Sequence, residues 1–113
     1  MISPLTCSLV GQRQNVAIVP GTRAAALYRA ANVTEPYYCN YGLNPDYRGR
    51  LEAAGMVTSG VGDAGEARIV ELPAHPFFLG TLFVPQARST ATDPHPLIAG
   101  FAAAAAAHRS ARR

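Results

Sequence analysis

The sequence has 113 residues, a length that predicts one small domain. Hydrophobic residues make up 49% of it and charged residues 15%, a balance that excludes wholesale disorder. The formal net charge of +3 comes from ten arginines against seven acidic residues, with no lysine. Because three of the arginines fall in the last five residues and the others are scattered, we predict no nucleic-acid partner.

The chain also carries no sequence signal for a membrane or for export. No stretch approaches the roughly 18 apolar residues that cross a bilayer. Residues 1–10 lack the basic start and long apolar segment of a signal peptide. We therefore expect a cytoplasmic protein without a membrane partner, and the two cysteines, Cys7 and Cys39, fit a reducing compartment.

The first half of the chain predicts two strands and two helices. Residues 15–19 are rich in β-formers and end at a Pro-Gly pair, which predicts a strand and a turn. Thr22 is a suitable N-cap for a helix over residues 23–29. Residues 35–43 are aromatic and predict a second strand. Asn44 is the predicted N-cap of a helix that ends near residue 54, just before a glycine.

The second half predicts a hairpin, a buried strand and a terminal helix. Residues 56–60 and 66–72 predict the hairpin, and its Gly-rich connection is read as a turn because a phosphate loop should open a helix. Residues 77–84 are nearly all apolar, which predicts a strand buried on both faces. A loop over 87–96 then precedes an alanine-rich helix over 97–108 and a frayed basic tail over 109–113. The expected fold class is α/β, with a mixed sheet flanked by helices.

Five motifs follow one another in a fixed order along the chain. They are Y-G-L-N at 41–44, Y-R-G-R-L-E-A-A-G-M at 47–56, I-V-E-L-P-A-H-P-F-F-L-G at 69–80, F-V-P-Q at 83–86 and P-H-P-L-I-A-G-F at 94–101. Together they resemble the C-terminal half of the class I glutamine amidotransferase-like domain that is fused to CTP synthase. The resemblance implies a partial, flavodoxin-like amidotransferase fold over residues 1–113.

Three further segments resemble the CTP synthase C-terminal-region-related proteins. These segments are C-S-L-V-G-Q at 7–12, V-P-G-T-R-A-A at 19–25 and Y-C-N-Y-G at 38–42. That group consists of short amidotransferase-like chains without a synthetase domain, and it includes selenoproteins.

The resemblance also defines the positions where glutamine hydrolysis would need reactive groups. In this class a cysteine thiolate attacks the amide, a histidine moves protons and a glutamate orients the histidine. The histidine position corresponds to Val84 and the glutamate position to Gln86, and neither side chain can perform those roles. The sequence also contains no G-x-C-x-G elbow to hold the nucleophile. We therefore predict a fragment related to pyrimidine nucleotide and glutamine metabolism, without glutaminase activity of its own.

The ligands and partners that the resemblance implies are few. Glutamine or a related small molecule is the expected ligand, with Tyr38, Asn40 and Tyr41 as candidate binding residues and with neither a cofactor nor a metal. The expected protein partner is a second copy of the chain or a complementing N-terminal half. Gln86 could bond a ligand amide in place of the lost glutamate, or it could satisfy a nearby backbone group.

Two other functions stay open at this stage. Cys39 could be the nucleophilic or redox thiol of a thiol-dependent enzyme, or a small residue packed in a strand. The whole chain could instead be a structural or oligomerisation module. His75 and His95 each lie next to prolines with no second ligand at regular spacing, so we predict turn and cap roles for them and not metal binding.

Overall fold

The computed structural model describes residues 1–5 and 8–111. The elements in chain order are β1 (Ile2–Pro4), β2 (Gln12–Ile18), α1 (Arg23–Tyr28), β3 (Asn32–Tyr37), β4 (Tyr41–Leu43), α2 (Pro45–Ala53), β5 (Val57–Val61), β6 (Ala67–Glu71), β7 (Leu79–Thr81), a 3₁₀ helix (Pro85–Arg88) and α3 (Pro96–Ala111). The predicted hairpin is present as β5 and β6, and the predicted α/β class is confirmed.

Five of the strands form one sheet in the order β3-β2-β5-β6-β7, and β1 pairs with β4 in a separate ribbon. All strand pairs among the described residues are antiparallel. The pairing of β5 with β6 is interrupted at Ser59, since Thr58 lies opposite Val70 and Gly60 lies opposite Ile69. Such a bulge increases the local twist of the sheet.

The single strand predicted over residues 35–43 is wrong, because the structure divides that segment between two sheets. β3 pairs with β2 until Tyr37, which lies opposite Gln12. The next residues leave the sheet, and the carbonyls of Cys39 and Asn40 accept hydrogen bonds from the N-terminal segment. β4 then pairs with β1. The break depends on strand partners elsewhere in the chain, which local sequence does not report.

The strand predicted over residues 77–84, buried on both faces, is also wrong. Only Leu79–Thr81 is extended, all three residues are half-buried, and this strand lies at the sheet edge with β6 as its neighbour. The apolar side chains of the segment are used elsewhere. Phe77 packs edge-on against Phe101 of α3, with ring centroids 5.7 Å apart, while Phe78 is exposed.

Local capping explains where the first two helices begin. The Thr22 hydroxyl accepts a hydrogen bond from Ala25 N–H at the start of α1, and Asn44 caps α2 with Pro45 in its first turn. Both helices therefore begin where the sequence predicts. α1 ends at Arg29, which adopts the left-handed conformation that closes a helix.

The terminal helix is longer than predicted and starts one residue earlier. α3 runs from Pro96 to Ala111, so residues 109–111 of the predicted tail continue the helix that the alanine run favours. Arg112 and Arg113, the rest of that predicted tail, lie outside the described residues. Gly100 lets α3 approach α1 closely, since a Cβ there would lie 2.6 Å from Leu27 Cδ2. No helix in the described part of the chain has the length and apolarity to span a membrane.

The core lies between the sheet and the helices α1 and α3. Its buried apolar residues are Leu9, Val16, Ile18, Ala24, Tyr37, Ile69, Phe83 and Leu97. Buried and more exposed positions alternate towards the ends of β2, β3 and β6, and in β3 this alternation buries Glu35 together with Tyr37. A carboxylate is therefore placed inside the core.

Candidate functional site

Glu35 lies at the centre of a buried polar cluster and has no solvent exposure. Arg88 donates two hydrogen bonds to its carboxylate, from Nε to Oε1 at 2.7 Å and from Nη2 to Oε2 at 2.8 Å. His95 Nε2 lies 2.7 Å from Oε2, and the Tyr28 hydroxyl donates to the same oxygen. We call Tyr28, Glu35, Arg88 and His95 the Glu35 cluster. Its buried carboxylate is fully paired, as a buried charge must be.

The electrostatics of the Glu35 cluster argue against a catalytic role for it. Burial alone would raise the pKa of Glu35, but the hydrogen bonds from Arg88, His95 and Tyr28 outweigh burial and hold that pKa at about 2. Burial and the neighbouring carboxylate together raise the pKa of Tyr28. A general base needs a pKa near the working pH and access to a substrate, and Glu35 has neither.

The Glu35 cluster joins four separate parts of the chain. Tyr28 ends α1, Glu35 lies in β3, Arg88 ends the 3₁₀ helix and His95 directly precedes α3. His95 Nδ1 also accepts a hydrogen bond from Leu97 N–H at 3.1 Å, which is the predicted cap role. The cluster therefore fixes how the helices meet the sheet.

His75 has the predicted turn role. Its Nδ1 accepts a hydrogen bond from Phe77 N–H at 3.1 Å. Across residues 1–5 and 8–111, no three His, Cys, Asp or Glu side chains are grouped closely enough to hold a metal ion.

Cys39, the candidate nucleophile, lies just past the end of β3. Its Sγ donates to the Leu82 carbonyl at 3.5 Å, and the side chain packs partly buried against the core. Burial raises the pKa of the thiol, although the Arg68 guanidinium opposes this effect. No histidine within the described ranges is hydrogen-bonded to it, so no base is in place to activate it. Cys7, the other thiol, lies outside those ranges.

The candidate binding residues Tyr38, Asn40 and Tyr41 share one surface segment. All three are exposed, Tyr38 by 58% and Tyr41 by 56% of its surface. Tyr38 and Asn40 flank Cys39 in the connection between β3 and β4, and Tyr41 begins β4. The structure thus brings these candidates together as an exposed polar and aromatic strip.

Val84 and Gln86 lie at the turn between β7 and the 3₁₀ helix. Val84 is half-buried and directly precedes the helix, whereas Gln86 is exposed on it. The contact of Cys39 with Leu82 places the thiol beside the chain that leads into Val84. Among the described residues the Gln86 amide makes no hydrogen bond, so it is available to a ligand.

An open cavity of about 370 Å³ lies against the strands β6 and β7. Its lining is largely apolar and includes Leu43, Met56, Phe78 and Leu82. Arg68 also lines it, and the guanidinium of this residue is already paired with a carboxylate at 3.0 Å. The cavity is therefore suited to apolar groups and not to an anion.

Sequence reasoning missed Tyr28, Glu35 and Arg88, which together with His95 form the Glu35 cluster. The one local signal is that Glu35 and Tyr37 are two residues apart in a strand, which places both side chains on the inward face. Nothing in the local sequence shows which basic residue pairs with Glu35. Arg88 lies 53 residues away along the chain.

Comparisons with known proteins place this arrangement in a family context. No protein-family model matches the chain. A CTP synthase from Frankia casuarinae is 48% identical over 99 residues, covering 85% of this chain and 16% of the relative. A CTP synthase from Pyrobaculum calidifontis is 44% identical over 98 residues, covering 86% of this chain and 18% of the relative.

A solved structure agrees with these sequence relatives. The glutaminase domain of the Trypanosoma brucei CTP synthase, with bound acivicin, superposes with a TM-score of 0.78 and 32% identity. This match covers 88% of the present chain and 40% of that chain. The chain is a homologue of the CTP synthase glutaminase domain. The class I glutamine amidotransferase-like fold implied by its motifs is therefore confirmed.

The matches cover only part of the length of each relative. The glutaminase-like chain spans 16–18% of the length of the two curated relatives and 40% of the solved glutaminase chain. What this chain shares with the matched part of the solved glutaminase domain is its fold. The activity, substrates and partners of the whole CTP synthase belong to those longer proteins.

Proposed function

We propose that this chain is a CTP synthase glutaminase-like module that binds glutamine, or a related small molecule with an amide, without hydrolysing it. Its place would be in pyrimidine nucleotide and glutamine metabolism in the cytoplasm. The observation that carries the proposal is the pair Val84 and Gln86. By the motif resemblance these residues correspond to the family's histidine and glutamate, and the nearby Cys39 thiol bonds the Leu82 carbonyl and no histidine among the described residues.

The chemistry of the site supports the absence of hydrolysis. A thiol with a raised pKa is mostly protonated at neutral pH, and the protonated form is a poor nucleophile. Valine cannot accept that proton, and the Gln86 amide cannot stabilise an imidazolium. Removal of the nucleophile or base of an acyl-transfer enzyme costs on the order of 10⁴- to 10⁶-fold in rate.

Other features support retained binding. Gln86 offers an amide that both donates and accepts hydrogen bonds, and Asn40 offers a second amide on the neighbouring segment. Tyr38 and Tyr41 add exposed aromatic surface. The homologous Trypanosoma brucei domain holds acivicin, which is an analogue of glutamine.

Two measurements on the purified chain test the two halves of this proposal. Incubation with L-glutamine should release ammonia at the background rate, and calorimetric titration with L-glutamine should show saturable binding. Acivicin serves as the second ligand, and a Gln86→Ala variant should weaken the binding of both. Ammonia release that scales with protein and disappears in Cys39→Ser would show a working glutaminase. Absence of any binding heat would refute the binding role.

A partner-binding role is favoured by the open apolar cavity beside β6 and β7. A complementing part of a glutaminase-like domain is the proposed occupant, since the chain matches only 40% of the solved domain. Phe78 lines this cavity and is 45% exposed. Replacing it by serine should therefore reduce capture of a separately expressed N-terminal glutaminase segment. A homodimer that Phe78→Ser dissociates, measured by light scattering, would instead indicate an oligomerisation module.

The remaining alternative is a thiol-dependent enzyme or redox protein. The raised pKa of Cys39 and its carbonyl partner count against it, because reactive cysteines lie in environments that lower the pKa. In a Cys7→Ser variant, iodoacetamide should therefore alkylate Cys39 no faster than it alkylates a small free thiol in solution. Faster labelling would revive this alternative.

A further inference from the structure

The proposed ligand site has two sides that come from distant parts of the chain. Tyr38 and Asn40 follow β3, and Val84 and Gln86 lie at the start of the 3₁₀ helix. The contact between the two sides is the bond from Cys39 Sγ to the Leu82 carbonyl, at 3.5 Å. A thiol is a weak donor, so this contact alone would hold the two sides together loosely.

The 3₁₀ helix that carries Gln86 has little internal support. It has four residues and no side-chain cap. Its backbone bonds run from Ala87 N–H to Val84 O at 3.0 Å and from Ser89 N–H to Gln86 O at 3.4 Å. Short 3₁₀ segments have poor hydrogen-bond geometry, so this one depends on contacts with the rest of the fold.

The strongest of those contacts is the fork of Arg88 on Glu35. Glu35 is held in the ladder of β3 opposite Gln14 and is fully buried. The two parallel bonds, at 2.7 and 2.8 Å, fix both the distance and the orientation of the arginine. Arg88 lies two residues after Gln86, and Glu35 lies four residues before Cys39.

We infer that Glu35 and Arg88 are positioning residues, which fix the segment 84–88 against β3 and so set the geometry of the proposed ligand site. The ligand part of this inference rests on the proposed function. The positioning part does not, because it concerns the order of residues 84–89 in the free protein. Tyr28 and His95 also bond carboxylate oxygen Oε2, so the Glu35 side chain is held in place by contacts besides those of Arg88.

Replacement of Arg88 by methionine tests the inference. Methionine keeps the apolar stem but removes the fork, and since the Arg88 side chain is 39% exposed, the variant should fold. Hydrogen exchange at the amides of Ala87 and Ser89 should become about tenfold faster, whereas exchange at Val16 and Val33 in the sheet should stay within about twofold. In calorimetric titration the Kd for L-glutamine should rise about tenfold.

Arg48→Met is the matched control, because Arg48 pairs with Glu52 on α2 and donates to the Gly65 carbonyl, bonds that are not part of the Glu35 cluster, and should change neither readout. If Arg88→Met does not fold, Arg88→Lys gives the same comparison, since lysine keeps the charge without the fork. Unchanged exchange at residues 84–89 would overturn the inference. So would a uniform increase across the sheet, or an unaltered Kd in a variant whose exchange rises locally. If the wild-type chain binds no L-glutamine while exchange rises locally, the proposed function fails and the positioning role stands.

Discussion

The inner half of β3 and the surface that follows it differ in how tightly their side chains are held. In the Glu35 cluster each of the other polar side chains bonds the fully buried Glu35 carboxylate. A few residues later, Tyr38, Asn40 and Tyr41 are exposed, and so is Gln86 on the 3₁₀ helix. An unpaired buried charge would destabilise the fold, whereas an exposed substitution is nearly neutral. Substitutions on the exposed surface should therefore leave the fold intact, whereas substitutions in the Glu35 cluster should destabilise it.

Glu35→Gln should produce the largest effect on the cluster side of this comparison. It removes the charge that Arg88 and His95 share and places an amide against the guanidinium. We expect a loss of about 3 kcal/mol in the free energy of unfolding, measured with urea at neutral pH. Glu52→Gln, in an exposed pair on α2, should cost no more than about 0.5 kcal/mol. Similar losses in the two variants would remove the distinction between the regions.

Lowering the pH should weaken the Glu35 cluster but not the exposed surface that follows β3, and this test needs no mutation. The pKa of Glu35 is about 2 in the folded state, below its ordinary value of 4.5. A depressed pKa means that the stabilisation is complete above about 4.5 and is lost as the pH falls towards 2. The loss should be on the order of 2 kcal/mol, allowing for solvent around Arg88. Urea unfolding of Glu35→Gln over the same range should give a shallower pH dependence, and equal slopes would contradict this account.

Tyr28→Phe should have an intermediate effect on the cluster. The substitution removes one hydrogen bond to the carboxylate but leaves the bonds from Arg88 and His95 in place. A hydrogen bond to a charged group is worth about 1.5 kcal/mol or somewhat more, and that is the expected loss in urea unfolding. Tyr47→Phe on α2 is the control, because its ring meets Arg50 through the face and its hydroxyl is not part of that contact. A neutral Tyr28→Phe would show that Arg88 and His95 alone hold the carboxylate.

The same two regions show what the sequence could predict. The sequence predicts α2 closely because neighbouring residues determine its ends: Asn44 and Pro45 start the helix, and Gly55 follows it. The edge position of β7 and the division of β3 from β4 were not, since both depend on strand pairing with other parts of the chain.

The candidate site shows the same contrast between features set by local sequence and features set by distant contacts. Motif order along the chain predicts that Val84 and Gln86 stand at the family's histidine and glutamate positions; in the structure Val84 is half-buried just before the 3₁₀ helix and Gln86 is exposed on it. The Glu35 cluster was missed, because its partners lie 53 and 60 residues beyond the glutamate. A glutamate in a strand is ordinarily expected to face solvent. Only the fold shows that this one is buried and paired.

The smallest effect on stability should come from the surface that follows β3. Gln86→Ala removes an exposed amide without a partner in the described structure, so the free energy of unfolding should change by less than about 0.5 kcal/mol. The double change Val84→His and Gln86→Glu introduces the side chains that the motif resemblance assigns to the family's pair, and this variant should still release no ammonia from L-glutamine. A base cannot act without a nucleophile on a strained elbow and donors for the oxyanion, and Cys39 bonds a carbonyl oxygen instead. Turnover by this double variant would show that Cys39 reaches the restored histidine. In that case the two substitutions, and not a missing nucleophile elbow or missing oxyanion donors, would be the cause of the predicted inactivity.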